Sequence, residues 1–256
     1  MSEQGSTPGR RRAANAGPSG KGQFDTGSRQ TLADHIYEQL HYQITNLTLP
    51  PGTPILEREI ATEFNASRTP VREAILRLSK EMLVEVVPKS GTFVARIPLS
   101  VLPEALVARR ALERDLAARA AVRATPSQLL RLRAIIEESR EAVAASSQAT
   151  FDKTDSAFHA EIAVMSGFPG LWKMIQQIKT PIDRHRHLTL PVADRMEQVM
   201  REHSAIANAI EQGDADLAAE RMDFHLRQLK WDILQTIDRH PSYFIYDIDP
   251  SELAED

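Results

Sequence analysis

The run from Ser67 to Leu78, Ser-Arg-Thr-Pro-Val-Arg-Glu-Ala-Ile-Leu-Arg-Leu, constrains this chain more than any other stretch, because it dictates a short helix with two chemically different faces. Val71, Ile75, Leu78 and Met82 recur at three- and four-residue steps and form an apolar stripe that has to be buried. Arg68, Thr69 and Arg72 fall away from that stripe, near the helix start. Ser67 or Thr69 can cap the N-terminus, and Pro70 is tolerated in the first turn, where its missing N–H is not needed. Arginines beside unpaired N–H groups at one helix end suit phosphates and guanine edges in a major groove. Alone, the run fits equally a solvated helix face with two arginines, so its neighbours have to decide.

Upstream, Thr31 to about Thr48 forms a second amphipathic helix, with Leu32, Ile36, Leu40, Ile44 and Leu47 on one side. Thr31 with Asp34 three residues on is a capping-box start, and Pro50-Pro51-Gly52 is a stop. A short helix follows from Glu57 to Phe64, and Asn65-Ala66 turns into the Ser67 helix. Helix, turn, helix at that spacing is a DNA-binding arrangement. Leu83 to Val87 is rich in β-branched residues, Pro88 to Gly91 is a turn, and Thr92 to Ala95 is extended again, which gives a hairpin with Lys89 near its tip. Three helices and a two-stranded wing make a winged helix.

Residues 31–97 resemble the N-terminal domain of the GntR family of bacterial transcription regulators. The resemblance rests on Leu49-Pro50-Pro51-Gly52, Leu56 to Ala61, Ser67 to Ala74 and Lys89 to Val94. It implies double-stranded DNA as partner, with Arg68 and Arg72 on bases or phosphates and Arg58, Ser67 and Thr69 positioning the helix on phosphates. The wing tip, Lys89, Ser90 and Gly91, is the remaining implied contact, although family members with a histidine there differ from this chain.

Composition narrows the classes further. With 256 residues the chain has room for two domains with proper cores. Its net charge is −4, so any nucleic-acid binding has to come from a local patch and be strongly salt-dependent. Residues 31–97 carry seven Lys and Arg against eight Asp and Glu, which argues against non-specific binding more than against a sequence reader. The absence of cysteine removes disulfides, thiolate metal sites and Cys nucleophiles. No apolar run approaches membrane-spanning length and the N-terminus has no signal-peptide core, so the expectation is a cytoplasmic chain with no membrane partner.

Residues 1–30, with Arg10-Arg11-Arg12 and almost no apolar content, read as a disordered basic tail. From Pro98 onward the chain reads as helical, with helices near 100–123, 126–145, 150–166, 169–180, 192–212 and 214–237 and breaks at Pro126, Gly167-Phe168-Pro169, Pro181, Pro191 and Gly213. The fold class expected is mainly α: a winged helix-turn-helix over 31–97, an antiparallel bundle of six or seven helices over 98–240, and a C-terminal tail over 241–256.

Four polar residues interrupt the apolar rows of that bundle. Asp155 and His159 share a helix face, His203 lies in the row Met196, Val199, Ile206, Ile210, and His225 lies in the row Ala218, Met222, Leu229. Each alone fits a satisfied core group. Together they are imidazole and carboxylate donors suited to a divalent transition metal. Residues 100–237 resemble the FCD ligand-binding domain of the FadR subfamily of GntR regulators, on Arg109 to Glu113, Asp155 to His159, Glu202 to Asp214 and Arg221 to Leu226. The resemblance implies that Asp155, His159, His203 and His225 hold zinc, or nickel or manganese.

A small organic acid is the natural further occupant of such an ion. Arg109 lies on the row Leu102, Leu106, Glu113, Leu116 and has two open readings: a partner for Glu113, or a grip for that acid. Arg184 and Arg186 are further candidates for the effector pocket, or plain surface charges. The expectation is a ligand-responsive regulator, a repressor and not an enzyme, binding a pseudo-palindromic operator as a homodimer. Its rivals are a sensor whose ion is the signal and a metal-dependent hydrolase.

Overall fold

The computed structural model describes residues 31–189 and 194–254. The tail of residues 1–30 and the break expected at Pro191 lie outside the described residues.

The first domain opens with α1 (Leu32–Thr45), whose start is fixed by the expected capping box: the Thr31 hydroxyl accepts from the Asp34 backbone N–H, and the Asp34 carboxylate accepts from that of Thr31. Ile36, Leu40 and Ile44 are buried, while Leu32, at 44 % exposure, falls off the stripe. Leu47, expected on the same helix, lies beyond its end with a left-handed φ of 60°. Next come α2 (Glu57–Glu63) and α3 (Arg68–Lys80), the latter with Val71, Ala74, Ile75 and Leu78 buried. Ser67 takes the N-cap position without a side-chain cap hydrogen bond. Met82, read as the end of the apolar stripe, is 64 % exposed: the helix stops at Lys80, Met82 turns left-handed at φ 56°, and Leu83 enters the core instead.

The wing is the antiparallel hairpin of β1 (Val84–Val87) and β2 (Gly91–Val94), with Val84 opposite Val94 and Val87 opposite Gly91. Lys89 sits in its turn at φ 64°, and Gly91 closes it at φ 138°, a region that disfavours any Cβ. Backbone bonds from Gly52 and Ile55 to the Val94 and Thr92 carbonyls tie the loop before α2 to the wing.

A short strand, β3 (Ile97–Pro98), leads into the bundle of α4 (Val101–Arg123), α5 (Pro126–Ala144), α6 (Gln148–Ser166), α7 (Pro169–Thr189), α8 (Arg195–Glu211) and α9 (Ala215–Arg239). Thr125 and Gln128 form a capping box for α5, with Pro126 at its first position. Gly167, at φ 88°, ends α6 in the left-handed conformation. The break expected at Pro181 is absent, and α7 runs through it. Ile175 and Ile182 are both 1 % exposed, so the apolar core holds the helix on either side of the proline, and the Thr180 hydroxyl donates to the Gln176 carbonyl in the turn before it. Local breaking tendency is overridden by burial.

The segment read as a C-terminal tail folds back onto the joint between the domains. β4 (Phe244–Ile245) pairs parallel with β3, with Ile97 opposite Phe244. Leu99 N–H donates to the Ile245 carbonyl at 3.0 Å, and Ser100 donates to Asp247 through its N–H at 3.1 Å and its hydroxyl at 2.6 Å. Phe244 and Leu253 are each 3 % exposed. Burying two such side chains contributes about 1.5–3 kcal/mol each. Ending the chain after His240 is therefore expected to lower urea-unfolding stability by several kcal/mol; an unchanged midpoint would show that this segment contributes nothing to the fold.

Candidate functional site

The winged helix presents the groups expected to meet DNA at its surface. Arg58, Ser67, Arg68, Thr69, Arg72, Lys89, Ser90 and Gly91 are all exposed, whereas the opposite face of α3 is buried. Arg68 and Arg72, four apart, lie on one side of the first turns of α3. Arg72 Nε donates to the Glu57 carboxylate of α2 at 2.9 Å, which leaves the outer nitrogens of its fork for other acceptors. Arg77, further along α3, bonds Asp34 of α1 at 2.6 Å and lies 4.0 Å from the centre of the Tyr37 ring, so it locks α1 to α3.

Inside the bundle, His159 from α6, His203 from α8 and His225 from α9 converge, with one ring nitrogen of each within 4.8 Å of the others. All three are buried. His203 Nε2 is 3.3 Å from His225 Nε2 and 3.6 Å from Asp155 Oδ1. The ring of His203 stacks on Phe158 with centroids 4.1 Å apart, which fixes its plane. Asp155 stands beside the imidazoles, its other oxygen accepting from Arg186 at 2.5 Å.

Two carboxylates that spacing did not reveal as partners orient these rings. Glu113 Oε2 lies 2.5 Å from His159 Nδ1 while its Oε1 accepts from Arg109 Nε at 2.6 Å. His225 Nδ1 donates to Glu202 Oε2 at 2.7 Å. A carboxylate on the far nitrogen of an imidazole fixes its tautomer and strengthens its near nitrogen as a ligand. Glu113 was visible as a charge on an apolar row, and Glu202 adjoins His203, yet it serves His225 on the next helix. Only the packing of α8 on α9 makes that pairing.

The donor set suits a divalent metal ion. His159 Nε2 and Asp155 Oδ1 are buried with no hydrogen-bond partner among the described residues, a costly state that a cation between them would relieve. Burial and the neighbouring His225 push the His203 pKa well below 6.5, and burial with His159 does the same to His225, so both rings are neutral and able to ligate. Burial works to raise the Asp155 carboxyl, but the Arg186 guanidinium bonded to it outweighs that and keeps it ionised.

The depressed imidazoles set a pH dependence. Below 6.5 the unfolded rings bind protons while the folded ones stay neutral, so stability is full above that pH and falls as pH drops through the window beneath it. Metal-free protein is expected to lose up to about 1.4 kcal/mol per pH unit for each of these histidines. Urea unfolding between pH 7 and 5 checks this; a flat profile would show rings already protonated in the fold.

The effector candidates occupy different settings. Arg109, 1 % exposed, is held by Glu113. Arg186 is buried on Asp155. Arg184, also buried, donates to the Ala95 carbonyl at 2.5 Å, where the wing passes into the linker. Neither Arg184 nor Arg186 is a surface charge. His185, between them on α7, is also buried, at 1 % exposure.

A winged helix with an exposed arginine-bearing helix, carried on a helical domain with a buried polar centre, is the architecture of a transcription regulator. Residues 32–94 match the bacterial regulatory proteins of the gntR family, and residues 104–228 match the FCD domain. An HTH-type transcriptional regulator in an unstable DNA locus of Streptomyces ambofaciens is 31 % identical over 227 residues, covering 87 % of this chain and 93 % of that protein. The HTH-type transcriptional repressor RspR of Escherichia coli K12 is 28 % identical over 215 residues, covering 84 % of this chain and 94 % of RspR. The solved structure of E. coli McbR/YncC superposes with a TM-score of 0.70 at 24 % identity, over 80 % of this chain and 98 % of that one, a likeness of fold. The chain belongs to the GntR family and carries an FCD domain. It is a transcriptional regulator, and among the described residues no helix is long and apolar enough to cross a membrane.

Proposed function

We propose that this regulator is a ligand-responsive repressor that binds a pseudo-palindromic operator as a homodimer and carries a divalent metal ion, zinc first among the candidates, in its FCD domain. The observation that carries the reading is the convergence of His159, His203 and His225 beside the unpartnered Asp155 oxygen. His159, His203, His225 and Asp155 would hold the ion, which supplies a positive centre for the carboxylate of a small metabolite. Glu113 and Glu202 orient two of the rings, and Phe158 packs against the third. The carboxylates on the ring nitrogens favour a permanently held ion over one that exchanges as the signal. They also leave neither Glu free as a general base, which counts against the hydrolase reading.

On DNA, Arg68 and Arg72 supply base or phosphate contacts, Arg58, Ser67 and Thr69 position α3, and the wing tip, Lys89 to Gly91, touches the backbone. Glu57 orients the Arg72 fork. Arg72→Ala is expected to cost about 1–3 kcal/mol of operator affinity if the fork reads a guanine, and to reduce the salt slope by about one if it neutralises a phosphate. Unchanged affinity and slope, measured by fluorescence anisotropy over a salt series on a fragment selected by the protein, would remove Arg72 from the interface. Native mass spectrometry of untagged protein purified without chelators tests the rest: a dimer with one metal per subunit supports the proposal, and a metal-free dimer leaves only the DNA-binding half.

A further inference from the structure

The basic side chains proposed to meet DNA are not equivalent, and the difference lies in one carboxylate. Arg72 Nε donates to Glu57 Oε2 at 2.9 Å, while among the described residues Arg58, Arg68 and Lys89 have no carboxylate partner. Glu57 is the first residue of α2 and Arg72 lies in the second turn of α3, so the contact bridges the two helices of the helix-turn-helix. We propose that Glu57 determines sequence selectivity: it holds Arg72 as an end-on fork for one guanine and withholds it from phosphate. Removing Glu57 then weakens recognition of the operator while tightening binding to random DNA. The proposal rests on the DNA-binding reading of α3 and adds the base that is read and the residue that enforces the choice.

The chemistry of the two acceptors separates guanine from phosphate. A phosphate attracts an arginine mainly through charge, and Glu57 already offsets the charge of Arg72. A guanine edge instead offers two neighbouring acceptors, O6 and N7, to a pair of N–H groups. With Nε on Glu57, both terminal nitrogens of the guanidinium are available for that pair. Holding Nε also removes rotamer freedom that a loose arginine loses on binding, which favours the contact that depends on geometry. No other base presents two neighbouring acceptors in the major groove. An Arg72 that swings away to a phosphate leaves the Glu57 charge facing the polyanion unpaired. The carboxylate therefore penalises the wrong sequence as well as aiming at the right one.

Both side chains stand on a fixed frame. Ile60 of α2 and Val71 of α3 are buried in one apolar core, and the loop before α2 is tied to the wing by the Ile55 N–H on the Thr92 carbonyl at 2.8 Å. With seven Lys and Arg against eight Asp and Glu over residues 31–97, bulk attraction to DNA is weak, so a single carboxylate at the interface counts.

Fluorescence anisotropy of the full chain on a fragment selected by the protein, and on a scrambled fragment of equal length at the same salt, gives the discrimination ratio. In Glu57→Ala that ratio is expected to fall at least about tenfold, the size of one lost bidentate base contact, with scrambled DNA bound more tightly than by wild type. Glu57→Gln keeps an acceptor for Nε but loses the charge. It should tighten scrambled DNA likewise, yet retain most of the operator contact. Replacing each operator guanine in turn by its deaza analogue, which lacks N7, should reveal a position that weakens wild type and Glu57→Gln, weakens Glu57→Ala much less, and leaves Arg72→Ala unaffected. Operator and scrambled affinities that fall together in Glu57→Ala make Glu57 a structural residue, and affinities that rise together make it a bare charge; either result overturns the proposal. So does an unchanged ratio, or the absence of any guanine whose N7 effect depends on Arg72. If Arg72→Ala binds both fragments as wild type does, the interface reading beneath the proposal fails instead.

Discussion

Glu113→Ala is expected to destabilise the chain by about 3–5 kcal/mol, the usual cost of removing one partner of a buried ion pair. Arg109, which Glu113 neutralises at 2.6 Å, is 1 % exposed and on α4, whose other buried residues are largely apolar. Without the carboxylate a full charge stays in the core, and His159 loses the contact at its Nδ1. Against a typical total of 5–15 kcal/mol that loss is large enough to leave part of the protein unfolded at 37 °C. The double variant Arg109→Met with Glu113→Leu should recover most of the stability, because it removes both charges and keeps the volume, while metal affinity stays impaired. Urea unfolding of the two variants separates the effects. A single variant as stable as wild type would show that Arg109 finds another partner or reaches water.

His203→Ala is expected to abolish metal binding while leaving the winged helix intact. His203 is the residue of the cluster with short approaches to both His225, at 3.3 Å, and Asp155, at 3.6 Å, so its loss opens the centre of the donor set. Losing an outer-shell partner alone typically costs 10–100-fold in affinity, and losing a ligand costs more. Metal present at about a thousand times its dissociation constant stabilises the wild type by about 4 kcal/mol, and that increment should vanish in the variant. Native mass spectrometry and thermal melts with and without zinc decide the matter: full occupancy in His203→Ala would mean the imidazoles are core groups and the ion sits elsewhere. Because Phe158 stacks on His203, the metal-free variant must be compared with metal-free wild type, so that lost packing is not counted as lost metal.

The two proposed sites divide the protein between chemistry at a surface and chemistry in a core. On α3, Arg68 and the outer nitrogens of Arg72 are exposed to a partner because the helix spends its apolar residues on the other face. In the bundle, buried polar groups are held by partners: Arg109 by Glu113, Arg186 by Asp155, Arg184 by the Ala95 carbonyl, and the His225 ring by Glu202. The Asp155 oxygen and His159 Nε2, without hydrogen-bond partners among the described residues, are points at which that set is incomplete. Helix α7 borders both the cluster and the joint, touching Asp155 through Arg186 and the Ala95 carbonyl through Arg184.

Periodicity and caps alone determined the winged helix, the helical bundle and their order, because amphipathic stripes, the Thr31–Asp34 and Thr125–Gln128 boxes and the Gly167 end are local signals whose physics does not wait for a partner. Sequence spacing likewise placed His159, His203 and His225 on inward faces. It could not pair Glu202 with His225 or Glu113 with His159, since those contacts join helices whose register is set by packing. Nor could it carry α7 through Pro181, fold residues 241–254 back onto β3, or turn Arg77 inward to Asp34. In each case a local preference for a break, a tail or a solvated charge yields to long-range burial and pairing, which exist only once the helices are assembled.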